Sequence, residues 1–478
     1  MTTTIAPPAL AMDFGEVLRR SASQYARNVA VTAGDRRQTY AELFERSSRL
    51  AQAIAARGIE PGDRVAMLGP NGPETVEQIT GIALGGFVRA ALYAHNAADG
   101  NAYLCDLVDA RLLIVDAPLA EDLLALRDRM PQLEHVLVYG TDTPPAGAES
   151  YEAALAAASA DDPQVHVGPD ALHVIRFSAG TTGRPKGIFH TNRHWMGACD
   201  EYRWSSPMLD ERDAYLAAAP LTHAAVLFLW QVLKTGGRVI VEPAFDPERF
   251  LRLIEQERVT FGFMVPTMIQ PMVTHPDAAR YDLTSLRCLN YAAAPISETT
   301  MLRAKELLGG KDVLFQMYGQ SEIWPITMLY PHEHVSEGTE TERGRLRSVG
   351  RPTPSTKLTI VDKDGNAVPP GTIGEVAARH EGMMSGIWKD PEATAARTLP
   401  DGSILTRDMG PSTRTGSSSS PTARRTSSSP ADTTSGPPSW RTPSRPTRGS
   451  TRSASSACRT SGGARPRARS SSRPPAPR

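Results

Sequence analysis

The chain has 478 residues, too many for one ordinary hydrophobic core, and its 40% hydrophobic content is typical of a soluble globular protein. Its formal net charge is zero, but residues 411–478 hold 13 arginines, no lysine and one acid, whereas residues 1–410 hold 39 basic and 51 acidic residues. An acidic body gives no sign of a nucleic-acid partner. No apolar run approaches the roughly 18 residues of a membrane span, and no signal-peptide pattern opens the chain, so we expect a cytoplasmic protein.

The four cysteines are far apart in the chain and form no CxxC pair: Cys105, Cys199, Cys288 and Cys458. This spacing predicts neither a zinc site nor a disulfide framework. We expect free thiols buried in the core of a protein from a reducing compartment.

The segment from Tyr40 to Gly58 has the pattern of an amphipathic helix. Leu43, Leu50 and Ile54 recur at helical spacing, Thr39 is a suitable N-cap, and Gly58 can end the helix. Short apolar runs then alternate with helical stretches: "RVAML" at Arg64, "RLLIVD" near Leu112, "HVLVYG" near Val136, "RVIVEP" near Val239 and "VTFGFMVP" near Phe261. Such alternation predicts parallel βαβ units, and hence an α/β fold.

From Lys357 onward the strands become shorter and the turns tighter, as in "KLTIVDKDGNAVPPGTIGEV". "KDGN" is a good hairpin turn. We therefore predict an α/β region over residues 13–355, with two βαβ-type subdomains, and a small β-rich subdomain over residues 356–410. Residues 411–478 form a separate tail.

The segment "IRFSAGTTGRPKGIFHTN" (Ile175–Asn192) carries the clearest chemical signal. An apolar strand runs into a loop of glycines and hydroxyl residues, whose backbone N–H groups and hydroxyls can surround phosphate oxygens. Gly180, Gly183 and Gly187 allow close approach of the backbone, and Lys186 can offset phosphate charge. The loop is neither a Walker nor a Rossmann motif. A flexible linker is the alternative, which the preceding buried strand and the Pro-Lys-Gly sequence disfavour.

The segment "FSAGTTGRPKG" resembles the phosphate-loop signature of the adenylate-forming enzymes, which include acyl-CoA synthetases, luciferases and peptide-synthetase adenylation domains. Further segments resemble that family's motifs in the same order: "TYAEL" at Thr39, "GDRVAML" at Gly62, "APLTHAA" at Ala219, "YAAAP" at Tyr291, "MYGQSE" at Met317, "SVGRP" at Ser348, "GTIGEV" at Gly371 and "LTRDMG" at Leu405. The resemblance extends roughly from Asp13 to Gly410. It implies the large N-terminal α/β domain of that family.

The resemblance also implies an activity and its reactants. Members activate a carboxylic acid with ATP and Mg²⁺ to an acyl adenylate and pyrophosphate, and many then pass the acyl group to the thiol of CoA. We therefore expect an acyl-CoA synthetase-like, AMP-forming ligase with ATP, Mg²⁺, CoA and a small-molecule carboxylic acid as its partners. A ligase that loads a carrier protein and a non-catalytic binding protein with a basic tail remain alternatives.

Residue by residue, the resemblance assigns three groups of functional positions. The ATP-binding group consists of Ser178, Gly180, Thr181, Thr182, Gly183, Lys186, Tyr318, Gly319, Ser321 and Asp408. The substrate pocket consists of His223, Ala292, Ala293, Ala294 and Gln320. Glu322 is the expected magnesium ligand, and Glu322, His223 and Lys186 are the expected catalytic residues.

Within these groups, Tyr318 matches the residue that stacks on adenine and Asp408 the acid that accepts both ribose hydroxyls. Taken singly, some residues have plainer explanations: His223 as a packing residue, Glu322 as a solvated loop acid and Asp408 as a turn cap.

Two departures from the family pattern concern glycine positions. Ala292 and Ala293 stand where the family usually has glycine in a turn lining the acyl pocket, so two added methyl groups weakly disfavour bulky acids there. Arg407 stands where the family usually has glycine, immediately before Asp408. Since arginine adopts positive φ less readily than glycine, ribose binding is expected to suffer.

After Gly410 the chain contains no Leu, Ile, Val, Met, Phe or Tyr, so the tail cannot bury enough apolar surface and is predicted to be disordered. An arginine-rich arm that binds nucleic acid is one interpretation. A frameshift in a GC-rich gene is favoured, because the neighbouring frame can read "LDEDGFLFLADR", which resembles the family's continuation. We therefore expect a chain truncated by a frameshift after Gly410, without the family's C-terminal domain and its lysine, and with impaired catalysis.

Overall fold

The structure is a computed structural model that describes residues 13–178 and 184–412. Four predicted phosphate-loop residues lie outside the described residues: Gly180, Thr181, Thr182 and Gly183. The predicted tail also lies outside them, apart from Pro411 and Ser412, and Cys458 is part of it.

Thirteen α-helices occur in the described residues, with these bounds: α1 Phe14–Gln24, α2 Tyr40–Ala55, α3 Pro73–Leu84, α4 Ala98–Leu107, α5 Ala117–Leu124, α6 Tyr151–Ala157, α7 Asn192–Ser205, α8 Ala225–Lys234, α9 Pro247–Gln256, α10 Pro266–Thr274, α11 Glu298–Leu307, α12 Glu340–Gly344 and α13 Pro391–Ala395.

The same residues form twenty strands: β1 Val29–Ala33, β2 Arg36–Thr39, β3 Arg64–Leu68, β4 Val88–Ala91, β5 Leu112–Asp116, β6 His135–Tyr139, β7 Glu149–Ser150, β8 Leu172–Ser178, β9 Lys186–Thr191, β10 Ala214–Ala217, β11 Arg238–Val241, β12 Phe261–Met264, β13 Cys288–Tyr291, β14 Leu314–Gln320, β15 Ile323–Leu329, β16 Arg351–Pro352, β17 Lys357–Val361, β18 Ile373–Arg379, β19 Gly386–Ile387 and β20 Ile404–Pro411. The five apolar runs singled out in the sequence are β3, β5, β6, β11 and β12, so those predictions are confirmed.

Helix α2 begins where its sequence predicts. The Thr39 side chain accepts a hydrogen bond from the Glu42 backbone N–H, and the Glu42 carboxylate accepts one from the Thr39 N–H. This reciprocal capping box satisfies two donors that the first turn would otherwise leave unpaired. The helix ends at Ala55, and Gly58 follows with φ of 74°, a conformation that favours glycine.

The first sheet has nine strands in the order β16-β15-β14-β13-β12-β10-β11-β1-β2. Its central strands, from β14 through β1, run parallel, whereas β2, β15 and β16 are antiparallel to their neighbours. The second sheet has eight strands in the order β19-β9-β8-β4-β3-β5-β6-β7, with β8 through β7 parallel. The parallel pairs confirm the α/β fold expected from the alternating pattern.

The third sheet is antiparallel, in the order β17-β18-β20. It corresponds to the predicted β-rich subdomain, with two differences. Strand β19 leaves that region and pairs with β9 of the second sheet. Strand β20 runs through Pro411, and the Ser412 N–H donates to the Thr372 carbonyl. Regular backbone pairing therefore continues two residues beyond the change in composition at Gly410.

The largest hydrophobic cluster among the described residues joins the strands of the first sheet to several helices, including α8. The Phe228 ring lies 4.9 Å from those of Tyr202 and Phe263, 5.4 Å from that of Phe261 and 5.7 Å from that of Trp324. Burying an aromatic side chain of this size contributes about 1.5–3 kcal/mol, and favourable ring pairs add to it. This packing holds α8, and the segment before it, against the sheet.

Cys105, Cys199 and Cys288 are buried free thiols, as expected. Burial raises the pKa of each to about 12, so all three remain protonated thiols at neutral pH. No helix within residues 13–178 and 184–412 has the length and apolar character of a membrane span.

Gly350, in the connection to β16, allows a test of this fold. It has φ of 83°, and a Cβ there would lie 2.0 Å from the Met328 carbonyl oxygen. We expect Gly350→Ala to lower the free energy of unfolding by at least about 2 kcal/mol, since both the strained φ and the backbone overlap must be relieved.

Gly344→Ala is the matched control, because nothing lies within 4 Å of the Cβ it would add. Its effect should stay within about 0.5 kcal/mol. Denaturant unfolding measures both variants, and equal stability of the two would contradict the backbone path described for Gly350.

Candidate active site

Several of the predicted functional residues lie at or just after the carboxyl ends of parallel strands. In the first sheet His223 follows β10, Ala292 follows β13, and Tyr318 and Gly319 lie at the end of β14. In the second sheet Ser178 ends β8. Ligands in open α/β sheets bind outside this edge, because loops from neighbouring strands meet there.

Ser178 and Lys186 flank the phosphate loop as partners in the antiparallel pair β8–β9. The Lys186 ammonium donates to Asp390 Oδ2 at 2.8 Å. Asp390 also accepts from the Ala393 N–H and so caps α13. Lys186 therefore links the base of the loop to α13.

Glu322 lies in the tight turn between β14 and β15 and is 9% exposed. Arg397, which follows α13, donates through one nitrogen to Glu322 Oε1 at 2.7 Å and to Gln320 Oε1 at 2.8 Å. The side chains of Arg397 and Glu322 are only 12% and 11% exposed. The expected magnesium ligand is thus a buried carboxylate in an ion pair, and the interpretation of Glu322 as a solvated loop acid is wrong.

Asp408 is held against the same turn from the third sheet. The Tyr318 hydroxyl donates to Asp408 Oδ2 at 2.7 Å, and the Gln320 amide donates to the Thr406 carbonyl at 2.9 Å. The structure thus brings the predicted adenine-stacking and ribose-binding residues into direct contact.

His223 lies at the rim of this region. The residue is exposed to solvent, its ring stacks on Tyr93 at 4.5 Å between centroids, and Nδ1 lies 3.0 Å from the Thr222 hydroxyl. Desolvation by the surrounding protein lowers the pKa of His223, and the nearby Arg176 and His95 lower it further, so the ring is neutral at pH 7. Because the ring packs on Tyr93 in an exposed residue, the functional role and the plainer role of His223 as a packing residue both remain open.

The two departures from the family's glycines adopt glycine-like backbone. Ala293 has φ of 75° and Arg407 has φ of 64°. Ala292 is buried, whereas Ala293 and Ala294 are exposed. The Arg407 N–H donates to Glu375 Oε1 at 2.8 Å, which helps hold that residue in the left-handed region. The expected backbone conflict at Arg407 therefore exists as strain, and Asp408 still reaches Tyr318.

Three arginines at this site were missed in the sequence: Arg89, Arg176 and Arg397. Arg176 interrupts the apolar strand β8, and a charged residue at an inward-facing strand position is a signal that the sequence does offer. Arg89 interrupts β4 in the same way. Arg397 lies in "ATAARTLP", where nothing distinguishes it from a solvated residue.

The residues present fit a magnesium–nucleotide complex better than a free metal ion. Among the described residues no group of three or more His, Cys, Asp or Glu side chains is placed to hold a metal. Mg²⁺ is commonly held by one or two carboxylates together with substrate phosphates. Glu322 would supply the protein's carboxylate in such an arrangement, with Lys186 and Ser178 at the base of the phosphate loop.

Comparison with known proteins identifies the family. The profile of the AMP-binding enzyme family matches residues 18–388. The medium/long-chain-fatty-acid–CoA ligase FadD8 of Mycobacterium tuberculosis is 31% identical over 403 residues, which cover 83% of this chain and 68% of that protein. A feruloyl-CoA synthase of an Amycolatopsis species is 35% identical over 393 residues, which cover 82% and 74%.

Among solved structures, the N-terminal domain of FACL13 from Mycobacterium tuberculosis matches with a TM-score of 0.74 and 27% identity. The match covers 84% of this chain and 96% of that domain. The family match, these relatives and the fold identify an adenylate-forming enzyme of the acyl-CoA ligase type. The chain belongs to the AMP-binding enzyme family, and its described residues form the N-terminal domain of that fold.

The Arg397–Glu322 pair can be tested by a double-mutant cycle with Arg397→Met and Glu322→Gln. Because both side chains are nearly buried, we expect a coupling energy of about 1–3 kcal/mol in denaturant unfolding. The control pair, Lys357–Asp401, is 62% and 44% exposed, and its coupling should be below about 1 kcal/mol. Equal coupling in the two cycles would contradict the buried ion pair.

Arg407 allows a second test of the site's backbone. Arg407→Gly should raise the free energy of unfolding by about 1 kcal/mol, because glycine adopts φ of 64° without the strain that a side chain adds. Arg407→Ala removes the same side-chain atoms beyond Cβ but keeps the strain, so its effect should be within about 0.5 kcal/mol. If alanine stabilised the protein as much as glycine, strain would not be the cause.

Proposed function

We propose that this chain binds ATP with Mg²⁺ and a carboxylic acid, and that its site is built to form an acyl adenylate and pyrophosphate for transfer to CoA. The observation that carries the proposal is the contact of Tyr318 with Asp408 beside the buried Glu322. An aromatic ring and two carboxylates that lie close together support a nucleotide site, in which one carboxylate would accept from hydroxyl groups and the other would hold a metal–phosphate complex.

Each residue has a distinct part in this proposal. Asp408 accepts hydrogen bonds from the ribose hydroxyls, and charge-assisted bonds of this kind are about twice as strong as neutral ones. Lys186 and Ser178 contact the phosphates. Glu322 holds Mg²⁺, which would offset the phosphate charge, and this requires Arg397 to give up its hydrogen bond to Glu322 when the nucleotide binds.

The acid lies between His223 and the segment Ala292–Ala294 in this proposal. His223 is neutral at pH 7 and adds no charge there. The methyl groups of Ala292 and Ala293 narrow one wall, which disfavours bulky acids at that point. The relatives named above act on fatty acids and on ferulic acid, so the acid of this chain is proposed only as a class, a carboxylic acid.

Catalysis is proposed to be impaired in the sequence as given. The family resemblance implies a lysine of the C-terminal domain that directs positive charge at the reacting phosphoryl group, which is a major source of rate acceleration, and residues 411–478 contain arginines but no lysine. A frameshift after Gly410 remains our explanation of that composition. A cytoplasmic location, where ATP and CoA are available, is part of the same proposal.

Acid-dependent exchange of labelled pyrophosphate into ATP measures the proposed half-reaction. We expect a low rate of exchange that depends on one class of acid in a panel of fatty, aryl and branched acids. A chain in which residues 411–478 are replaced by "LDEDGFLFLADR" and the remainder of the neighbouring frame should show a higher rate of exchange. If neither chain supports exchange with any acid, the ligase proposal is wrong.

Asp408→Asn tests the nucleotide site independently of turnover. We expect ATP to bind about 10–100-fold more weakly in calorimetric titration, because the charged acceptor of the ribose hydroxyls is lost. Asp401→Asn is the control, since Asp401 is an exposed acid of the same subdomain that pairs with Lys357. Equal affinities of the two variants would place the ribose elsewhere.

A further inference from the structure

Two buried arginines lie side by side beneath the candidate active site. Arg89 is in β4 and Arg176 is in β8, and these strands are parallel neighbours in which Arg89 pairs with Val174. Arg176 is two residues further along β8, on the same face as Val174. Arg89 is 1% exposed and Arg176 is 7% exposed.

Three buried nitrogens of these two side chains have no hydrogen-bond acceptor within residues 13–178 and 184–412. Arg89 makes one long hydrogen bond, from Nη1 to the Leu221 carbonyl at 3.5 Å, while its Nε and Nη2 have no acceptor. Arg176 donates from Nη2 to the Ser321 carbonyl at 2.8 Å and lies over the Trp195 ring at 4.8 Å, but its Nε has no acceptor. Neither arginine forms an ion pair with a described carboxylate.

Burying unpaired charge is costly, and the surroundings do not offset it. Burial lowers the pKa of Arg89 to about 9, with Arg176 adding to the effect, and burial lowers the pKa of Arg176 to about 10. Both guanidinium groups are therefore still charged at pH 7. His173 and His190 nearby are neutral, since burial lowers the pKa of each well below its usual value. Glu322 is the acid whose charge favours the protonated form of Arg176, and it is already paired with Arg397.

The arginine pair contacts both segments that carry the reacting chemistry. Leu221, which accepts from Arg89, lies two residues before His223, and Ser321, which accepts from Arg176, immediately precedes Glu322. Tyr93 links His223 to the strand of Arg176, because its ring stacks on His223 and its hydroxyl donates to the Phe177 carbonyl at 2.5 Å. The two guanidinium groups that carry the unused donors therefore contact the segment before the predicted acid-binding residue and the residue before the predicted metal ligand.

We propose that Arg176, supported by Arg89, is the recognition site for the carboxylate of the acid substrate. The proposal rests on the function proposed above and specifies how that substrate is bound. A guanidinium presents its N–H donors in a planar fork that matches the two oxygens of a carboxylate. Arg176 acts as the binding residue, and Arg89 raises the local positive potential from the neighbouring strand.

This arrangement has two consequences for the acid. The substrate binds in its anionic form, so the corresponding amide or alcohol is rejected, because it would leave a buried charge uncompensated. The bound carboxylate also lies beside Glu322 and His223, where a nucleotide held by Asp408 and Lys186 would meet it. Arg176 therefore orients the nucleophilic oxygen as well as binding it.

Ligand-dependent shifts of the unfolding midpoint of the full chain test the proposal without requiring turnover. The probes are acetate, hexanoate and benzoate, each paired with its amide, at constant ionic strength set with sodium chloride. We expect a saturable rise with at least one carboxylate and none with its amide. Arg176→Met should weaken that carboxylate about tenfold or more, and Arg176→Lys should restore part of the affinity because it keeps the charge.

Arg89→Met provides a second, ligand-free measurement. Because it removes a buried charge that no described carboxylate pairs with, we expect its unfolding midpoint without carboxylate to equal or exceed that of the unsubstituted chain. Arg212→Met, at an arginine whose side chain is 82% exposed, should alter neither the midpoint nor the carboxylate response.

Two results would overturn the proposal: no saturable carboxylate-specific shift with any probe, or an unchanged shift in Arg176→Met. A titration of ATP in the same assay separates this failure from failure of the proposed function. If ATP shifts the midpoint while carboxylates do not, the nucleotide site stands and the arginine site is wrong. If ATP gives no shift but a carboxylate shift is lost in Arg176→Met, the anion site stands without the ligase function.

Discussion

The arrangement of this site depends on the turn formed by residues 320–322, where all three sheets are tied together. The Ser321 carbonyl accepts from Arg176 of the second sheet, and the Gln320 amide donates to Thr406 of the third. Glu322 accepts from Arg397, and its carbonyl accepts from the Met384 N–H at 2.6 Å. The tight turn between β14 and β15 is therefore hydrogen-bonded both to Arg176 and to Thr406, which are about 230 residues apart in the chain.

Much of the fold followed from local sequence patterns, because short apolar runs and helix caps are local signals. The Thr39 cap of α2 and the strand at Arg64 are examples. No local pattern predicted that β19 would pair with β9 of the second sheet. A strand of two residues has too little sequence to show a pattern, so its pairing depends on tertiary contact. The positive φ of Arg407 was anticipated only from the glycine that the family usually has there.

The residues of the candidate site likewise include some that sequence motifs predicted and some that only the tertiary structure reveals. Tyr318, Glu322 and Asp408 were predicted from family motifs, and the structure brings them to one place. The loop residues from Gly180 to Gly183 lie outside the described residues, so their roles remain predictions. Arg397 was not predicted, because its importance comes from tertiary contact with Glu322, and its local sequence resembles any solvated segment.

The central claim is that this junction of three sheets is a nucleotide site whose carboxylates are held by protein partners until ATP binds. A crystal structure of the full chain with a non-hydrolysable ATP analogue and Mg²⁺ tests it most directly. The account predicts the ribose hydroxyls within about 3 Å of Asp408, the adenine against Tyr318, and the metal at Glu322 in place of Arg397. A nucleotide bound elsewhere, with the Arg397–Glu322 pair intact, would contradict it.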